Sequence, residues 1–173
     1  MNLRPPRAED EPFLRQLRGQ IDSERLFMNY WRGENVEAEK KQLVDFQFRA
    51  RTAHQNAIKA MAETKENIIE MDGSPVGLFI VSGGRSELRL VEISLLPEWR
   101  GKGIGKIIIT TTMQECTRTG RLLHLCVEKT NAVALGLYRS LGFYAIDDSM
   151  AHLVMEWSPK GPSSGKLYSF ASA

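Results

Sequence analysis

Apolar and polar positions alternate in several distinct rhythms along this chain. Asn2 to Arg4 fits a short first strand ended by Pro5-Pro6. Glu9-Asp10-Glu11-Pro12 then resembles a helix start, with acids in the first turn and Pro near the beginning. Phe13, Leu14, Leu17 and Ile21 carry helical spacing to about Asp22. Arg25 to Gly33 is dense in aromatics without a clean period, and reads as a helix end with a loop tucked onto the core. Leu43, Phe46, Ala50, Ala53, Ala57 and Ala60 predict a second helix over Glu37 to Ala62. Asn67 to Met71, the turn Asp72-Gly73-Ser74-Pro75, and Val76 to Ser82 predict a hairpin. Gly83 to Ser86 makes the next turn.

Leu88 to Leu96 (LRLVEISLL) is rich in Leu, Val and Ile, holds no Gly, Pro or Asn, and predicts a strand that Pro97 ends. Gly101, Gly103 and Gly105 follow at alternate positions, interleaved with Lys102, Ile104 and Lys106, and Ile107 to Cys116 continues as a predicted helix. A strand leading through glycines into a helix makes a phosphate site, because the first helical N–H groups have no internal partner and the dipole makes that end electropositive. Glycines let those groups approach a pyrophosphate, and Arg100, Lys102 and Lys106 add positive charge. A nucleotide-triphosphate loop is excluded, since Arg100 stands where its first Gly belongs and Ile107 where its hydroxyl belongs. A dinucleotide fingerprint fits partly, with Lys106 in place of the third Gly and Glu128 as the distant acid. On spacing alone a solvated Gly/Lys turn without a ligand also stays open.

Arg121 to Val127 (RLLHLCV) predicts another strand, and NAVALGLYRSLGFY a helix opened by Asn131. Tyr144 to Ile146 and Ala151 to Trp157 predict two last strands around Asp147-Asp148. Arg100-x-x-Gly103-x-Gly105, followed by Asn131, Leu137-Tyr138 and Leu141-Gly142-Phe143, resembles the two signatures of the GNAT superfamily, the acyl-CoA-dependent N-acyltransferases. The resemblance is close from Leu88 to Trp157 and loose before it. It implies an α/β GNAT-like fold, a central twisted mixed sheet of six or seven strands flanked by about four helices. The expected domain is 1–158, with a flexible Pro/Gly/Ser-rich tail at 159–173.

The resemblance further implies an enzyme that transfers an acetyl group from acetyl-CoA to a primary amine by direct attack in a ternary complex. Arg100, Gly101, Lys102, Gly103, Ile104, Gly105 and Lys106 would then cradle the cofactor's phosphates. By offset from Arg100, the Ile93 amide is assigned to the thioester oxygen and that of Leu95 to the pantetheine. Tyr138 is expected to protonate the departing thiolate, against the plainer reading of a packing residue on an amphipathic helix. Asn131 would cap its helix, bond the pantetheine arm, or do both. Glu92 is the candidate base, though proton loss to bulk water would serve as well. His124 reads first as a satisfied core or surface residue and second as a relay through water. Arg25 to Gly33 would wall the acceptor site, and Glu34, Glu37 or Glu92 could hold a cationic acceptor, against the plainer reading of solvated surface. A non-catalytic acyl-CoA-binding module and a dinucleotide-binding domain are the competing readings.

Composition narrows the partners. A net charge of +2 and the lack of any basic run longer than two residues argue against nucleic acid. No stretch reaches a membrane span, and the N-terminal residues carry no apolar core of a secretory signal, so a cytoplasmic protein is expected, as a monomer or homodimer. The acceptor is expected to be a small-molecule or peptide amine. Cys116 and Cys126 have neither metal spacing nor a disulfide framework, and both are expected to be buried small hydrophobes; no metal is expected.

Overall fold

The computed structural model describes residues 1–29 and 63–161. The strands are β1 (Asn2–Arg4), β2 (Glu63–Met71), β3 (Ser74–Gly83), β4 (Glu87–Leu95), β5 (Leu122–Glu128), β6 (Tyr144–Asp148) and β7 (His152–Trp157). The helices in these residues are α1 (Glu11–Asn29), α2 (Ile104–Thr119) and α3 (Ala132–Ser140), with 3-10 turns at Ala8–Asp10 and Pro97–Trp99. Strand order is β1-β2-β3-β4-β5-β7-β6. The sheet is mixed, because β4 and β5 run parallel whereas β1/β2, β5/β7 and β6/β7 run antiparallel. A parallel pair needs a crossover, and α2 supplies it between β4 and β5. This is the α/β architecture with a seven-stranded sheet that the sequence implies.

The helix expected over Glu37 to Ala62 lies outside the described residues, as do Gly33, Glu34 and most of the expected tail. Several boundaries differ from expectation: β2 starts at Glu63 instead of Asn67, and β6 runs on through Asp147 and Asp148, which were expected to turn. α1 runs on to Asn29 instead of ending near Asp22, since no Gly or Pro interrupts Ile21 to Asn29. α2 begins at Ile104, not Ile107, so Ile104, Gly105 and Lys106 form its first turn instead of the preceding loop.

The chain divides into two compact units. The first comprises Met1–Ile80 with Glu92–Arg100, and its core includes Leu17, Ile68, Ile69, Leu78 and Ile80. A charged cluster fastens its N-terminal strand. Arg4 donates from Nη1 and Nη2 to Asp10 at 2.6 and 2.7 Å and from Nε to Glu70 of β2. Asp10 also accepts from the Arg7 amide at 2.7 Å and is only 4% exposed. Arg4 accordingly holds the Asp10 carboxyl down at about 2. Asp10 thus belongs to the turn ahead of α1, where it binds an arginine.

The second unit comprises Val81–Val91 with Gly101–Ala173. Ile104, Ile108, Ile109, Thr112 and Cys116 make the buried stripe of α2, at helical spacing. β5 alternates strictly: Leu123, Leu125 and Val127 are buried, whereas Cys126 points the other way and is exposed. The expectation of two buried cysteines therefore fails at Cys126, because strand parity overrides local hydrophobicity. His124, on that same face, meets Glu156 of β7 at 2.7 Å through Nε2 and Glu87 of β4 at 3.3 Å through Nδ1. Glu156 also accepts from the Tyr144 hydroxyl, and burial together with that carboxylate pushes the phenol up to about 12. His124 is a satisfied cross-strand residue, as the plainer reading expected.

Candidate functional site

The 3-10 turn Pro97–Trp99 closes β4 through Trp99 N–H to Leu96 O and Arg100 N–H to Pro97 O. Gly101 and Gly103 then take φ of +71° and +79°, a region in which side-chain-bearing residues are strained. These turns bring the chain into α2, whose first helical bond runs from Ile107 N–H to Gly103 O. Gly103 offers no side-chain cap, so the N–H groups of Ile104, Gly105 and Lys106 have no partner within the helix. No acid stands in that first turn, which carries Lys106 and follows Lys102 closely. Ile104 is buried and anchors the helix end, while Gly101, Lys102 and Gly103 are exposed. Helix dipole, open N–H groups and lysines all favour an anion here.

In the first unit, backbone parity orients the end of β4. Leu96 N–H donates to Val76 O at 2.9 Å, and the Ser94 carbonyl also faces β3, beside Gly77. Successive peptide groups of a strand point to opposite edges. The N–H groups of Ile93 and Leu95 therefore face the edge of β4 away from β3. The Leu95 carbonyl faces that edge as well, where Arg100 Nε donates to it at 2.9 Å. The parallel ladder to β5 runs from Glu87↔Leu122 to Leu90↔Leu125, so both amides lie beyond its last pair. Glu92 is 6% exposed and accepts from Ser94 Oγ at 2.6 Å, two residues along the same strand face. Sequence reasoning missed Ser94, for which the i, i+2 spacing was the available signal, and Gly77, a lone glycine inside an apolar strand.

In the second unit, Asn131 Oδ1 accepts from Ala134 N–H at 3.0 Å and so caps α3. Tyr138 sits one buried helical step beyond Leu135, is 8% exposed, and packs on Phe143 with ring centroids 5.7 Å apart at 58°. Burial pushes its phenol up to about 12. Glu92 and Tyr138 thus belong to different units. Among the described residues, no group of three or more His, Cys, Asp or Glu could hold a metal ion.

A family model described as "Acetyltransferase (GNAT) family" matches residues 24–143. The chain belongs to the GNAT acetyltransferase family. Solved structures share its fold. PaiA N-acetyltransferase of Thermoplasma acidophilum, in complex with coenzyme A, matches with a TM-score of 0.69 at 17% identity, over 91% of this chain and 98% of its own. An acetyltransferase of Thermus thermophilus matches with 0.65 at 15% identity, over 91% and 96%. Naa50 of Arabidopsis thaliana, in complex with the bisubstrate analogue CoA-Ac-MVNAL, matches with 0.58 at 15% identity, over 91% and 97%. No curated protein matches the chain. The GNAT family model spans α2, β5 and α3, the elements that carry the glycine turn, Asn131 and Tyr138.

Proposed function

We propose that this GNAT protein is an N-acetyltransferase that moves an acetyl group from acetyl-CoA to a primary amine in a ternary complex. The observation that carries the reading is the uncapped, basic, glycine-led start of α2. A diphosphate fits it: the N–H groups there lack helical partners, and a β-carbon at Gly101 or Gly103 would stand in open space that a ligand can use. When bound, acetyl-CoA supplies an activated thioester.

The remaining roles fall to the chain's own groups. The Leu95 N–H would orient the pantetheine and the Ile93 N–H would stabilise negative charge developing on the thioester oxygen. Parity supports both assignments, since it turns these two amides to the edge away from β3. Glu92, held by Ser94, would accept a proton from the attacking amine. As nitrogen bonds to the carbonyl carbon and the carbon–sulfur bond breaks, Tyr138 would give its proton to the leaving sulfur and regain one from solvent. A phenol at about 12 stays protonated at neutral pH, as a donor must. We assign the protein to the cytoplasm, where Cys116 and Cys126, both free thiols, would stay reduced.

The test mixes the protein with acetyl-CoA and a panel of small and peptide amines and follows thiol release. Amine-dependent release is expected. Tyr138→Phe should slow it by roughly 10²–10⁴ while leaving CoA affinity nearly unchanged. No pH limb from Tyr138 should appear below about 12. Thiol release that no amine accelerates would refute the enzymatic reading and leave an acyl-CoA-binding module.

A further inference from the structure

We propose that Gly77 is a positioning residue, which by lacking a side chain sets the orientation of the Ile93 and Leu95 amides. The inference rests on the acetyl-transfer reading above, which gives those amides their work. Gly77 lies in the buried interior of β3, where glycine sacrifices order and packing and so marks a close backbone approach. A β-carbon at Gly77 would overlap the Ser94 carbonyl oxygen and would lie 2.8 Å from Leu95 Cδ2 and 3.0 Å from Ile69 Cδ1. The two side-chain ends can turn aside. The carbonyl cannot move without the backbone of β4.

That carbonyl matters because of peptide planarity. Ser94 C=O and Leu95 N–H belong to one rigid plane, with the oxygen toward β3 and the N–H toward the opposite edge. Pressure on the oxygen turns the N–H by the same angle. The next peptide is pinned through Leu95 O by Arg100, so the displacement is taken up on the Ile93 side. Backbone donors have no side chain to mutate, and Gly77 is a handle on them from the neighbouring strand.

Gly83 provides an internal control in the same strand. A β-carbon there would overlap the Glu87 carbonyl and lie 2.9 Å from Leu88 Cα, so its steric cost is similar. It presses on β4 at the opposite end, where Glu87 and Leu88 pair with Leu122 and Leu123.

The experiment compares Gly77→Ala, Gly83→Ala and the parent by amide NMR on adding acetyl-CoA, by acetyl-CoA affinity, and by saturated thiol-release rate. Both variants should lose thermal stability to a similar degree. Gly77→Ala alone should lose the acetyl-CoA response of the Leu95 and Ile93 amides, and its saturated rate should fall by roughly 10²-fold, the scale of an ångström misplacement. Should Gly77→Ala fail to fold, Ile69→Val/Gly77→Ala frees the side-chain end and keeps the push on the Ser94 carbonyl. Parent-like amide responses and rate in the folded Gly77 variant would overturn the inference, as would equal losses in Gly83→Ala. A parent protein that binds acetyl-CoA without moving either amide also overturns it. If those amides move but no amine yields thiol, the enzymatic reading falls, and the amide comparison still decides the role of Gly77.

Discussion

Among the described residues of the second unit, α2 and α3 begin in opposite ways. α3 satisfies itself: Asn131 accepts from Ala134 N–H, so a donor that would otherwise lack a partner is used within the chain. α2 has no such residue; Gly103 precedes it in a left-handed turn, and Lys106 stands in the first turn, where an acid would be at home. A capped start finishes a helix, whereas an uncapped one leaves donors for something else to complete. The same contrast separates the two duties we assign, with binding at the start of α2 and proton donation from Tyr138 in the body of α3.

Mutations at the two helix starts should therefore behave differently. The larger effect is expected at α2. Gly103→Val puts a β-branched residue at φ +79° and a side chain into the ligand's path, and should weaken CoA roughly 10- to 150-fold, the worth of one charge-assisted hydrogen bond. CoA affinity equal to the parent's, measured by calorimetry, would mean that the start of α2 does not hold the phosphates. The smaller effect is at α3. Asn131→Ala should cost about 1 kcal/mol of stability in a denaturant titration, with less change in CoA affinity than Gly103→Val. A CoA loss as large as that of Gly103→Val would mean that Asn131 serves the ligand as well as its own helix.

Much of this was legible in the sequence, for physical reasons that differ from residue to residue. The start of α3 was visible because Asn before an apolar period is a local signal, and the glycines announced α2, although its first turn begins three residues before the expected Ile107. β4 and β5 were visible because both are short apolar runs bounded by turn residues. Three things were less accessible. The full length of α1 was hidden, since the backbone continues helical through a stretch whose hydrophobic pattern has no clean period. Cys126 was misjudged because one-dimensional hydrophobicity does not say which face of a strand a residue takes. Gly77 was passed over because its meaning lies in the Ser94 carbonyl, seventeen residues away along the chain.

We propose above all that the open N–H groups at the start of α2 receive the cofactor's phosphates. An amide NMR titration of the unmutated protein with CoA tests it directly. Saturable shifts are expected to be largest at Gly103, Ile104, Gly105 and Lys106, with the Ala134 amide, already bonded to Asn131, moving far less. Saturable CoA binding that leaves those four amides in place, or no CoA binding at all, would contradict it.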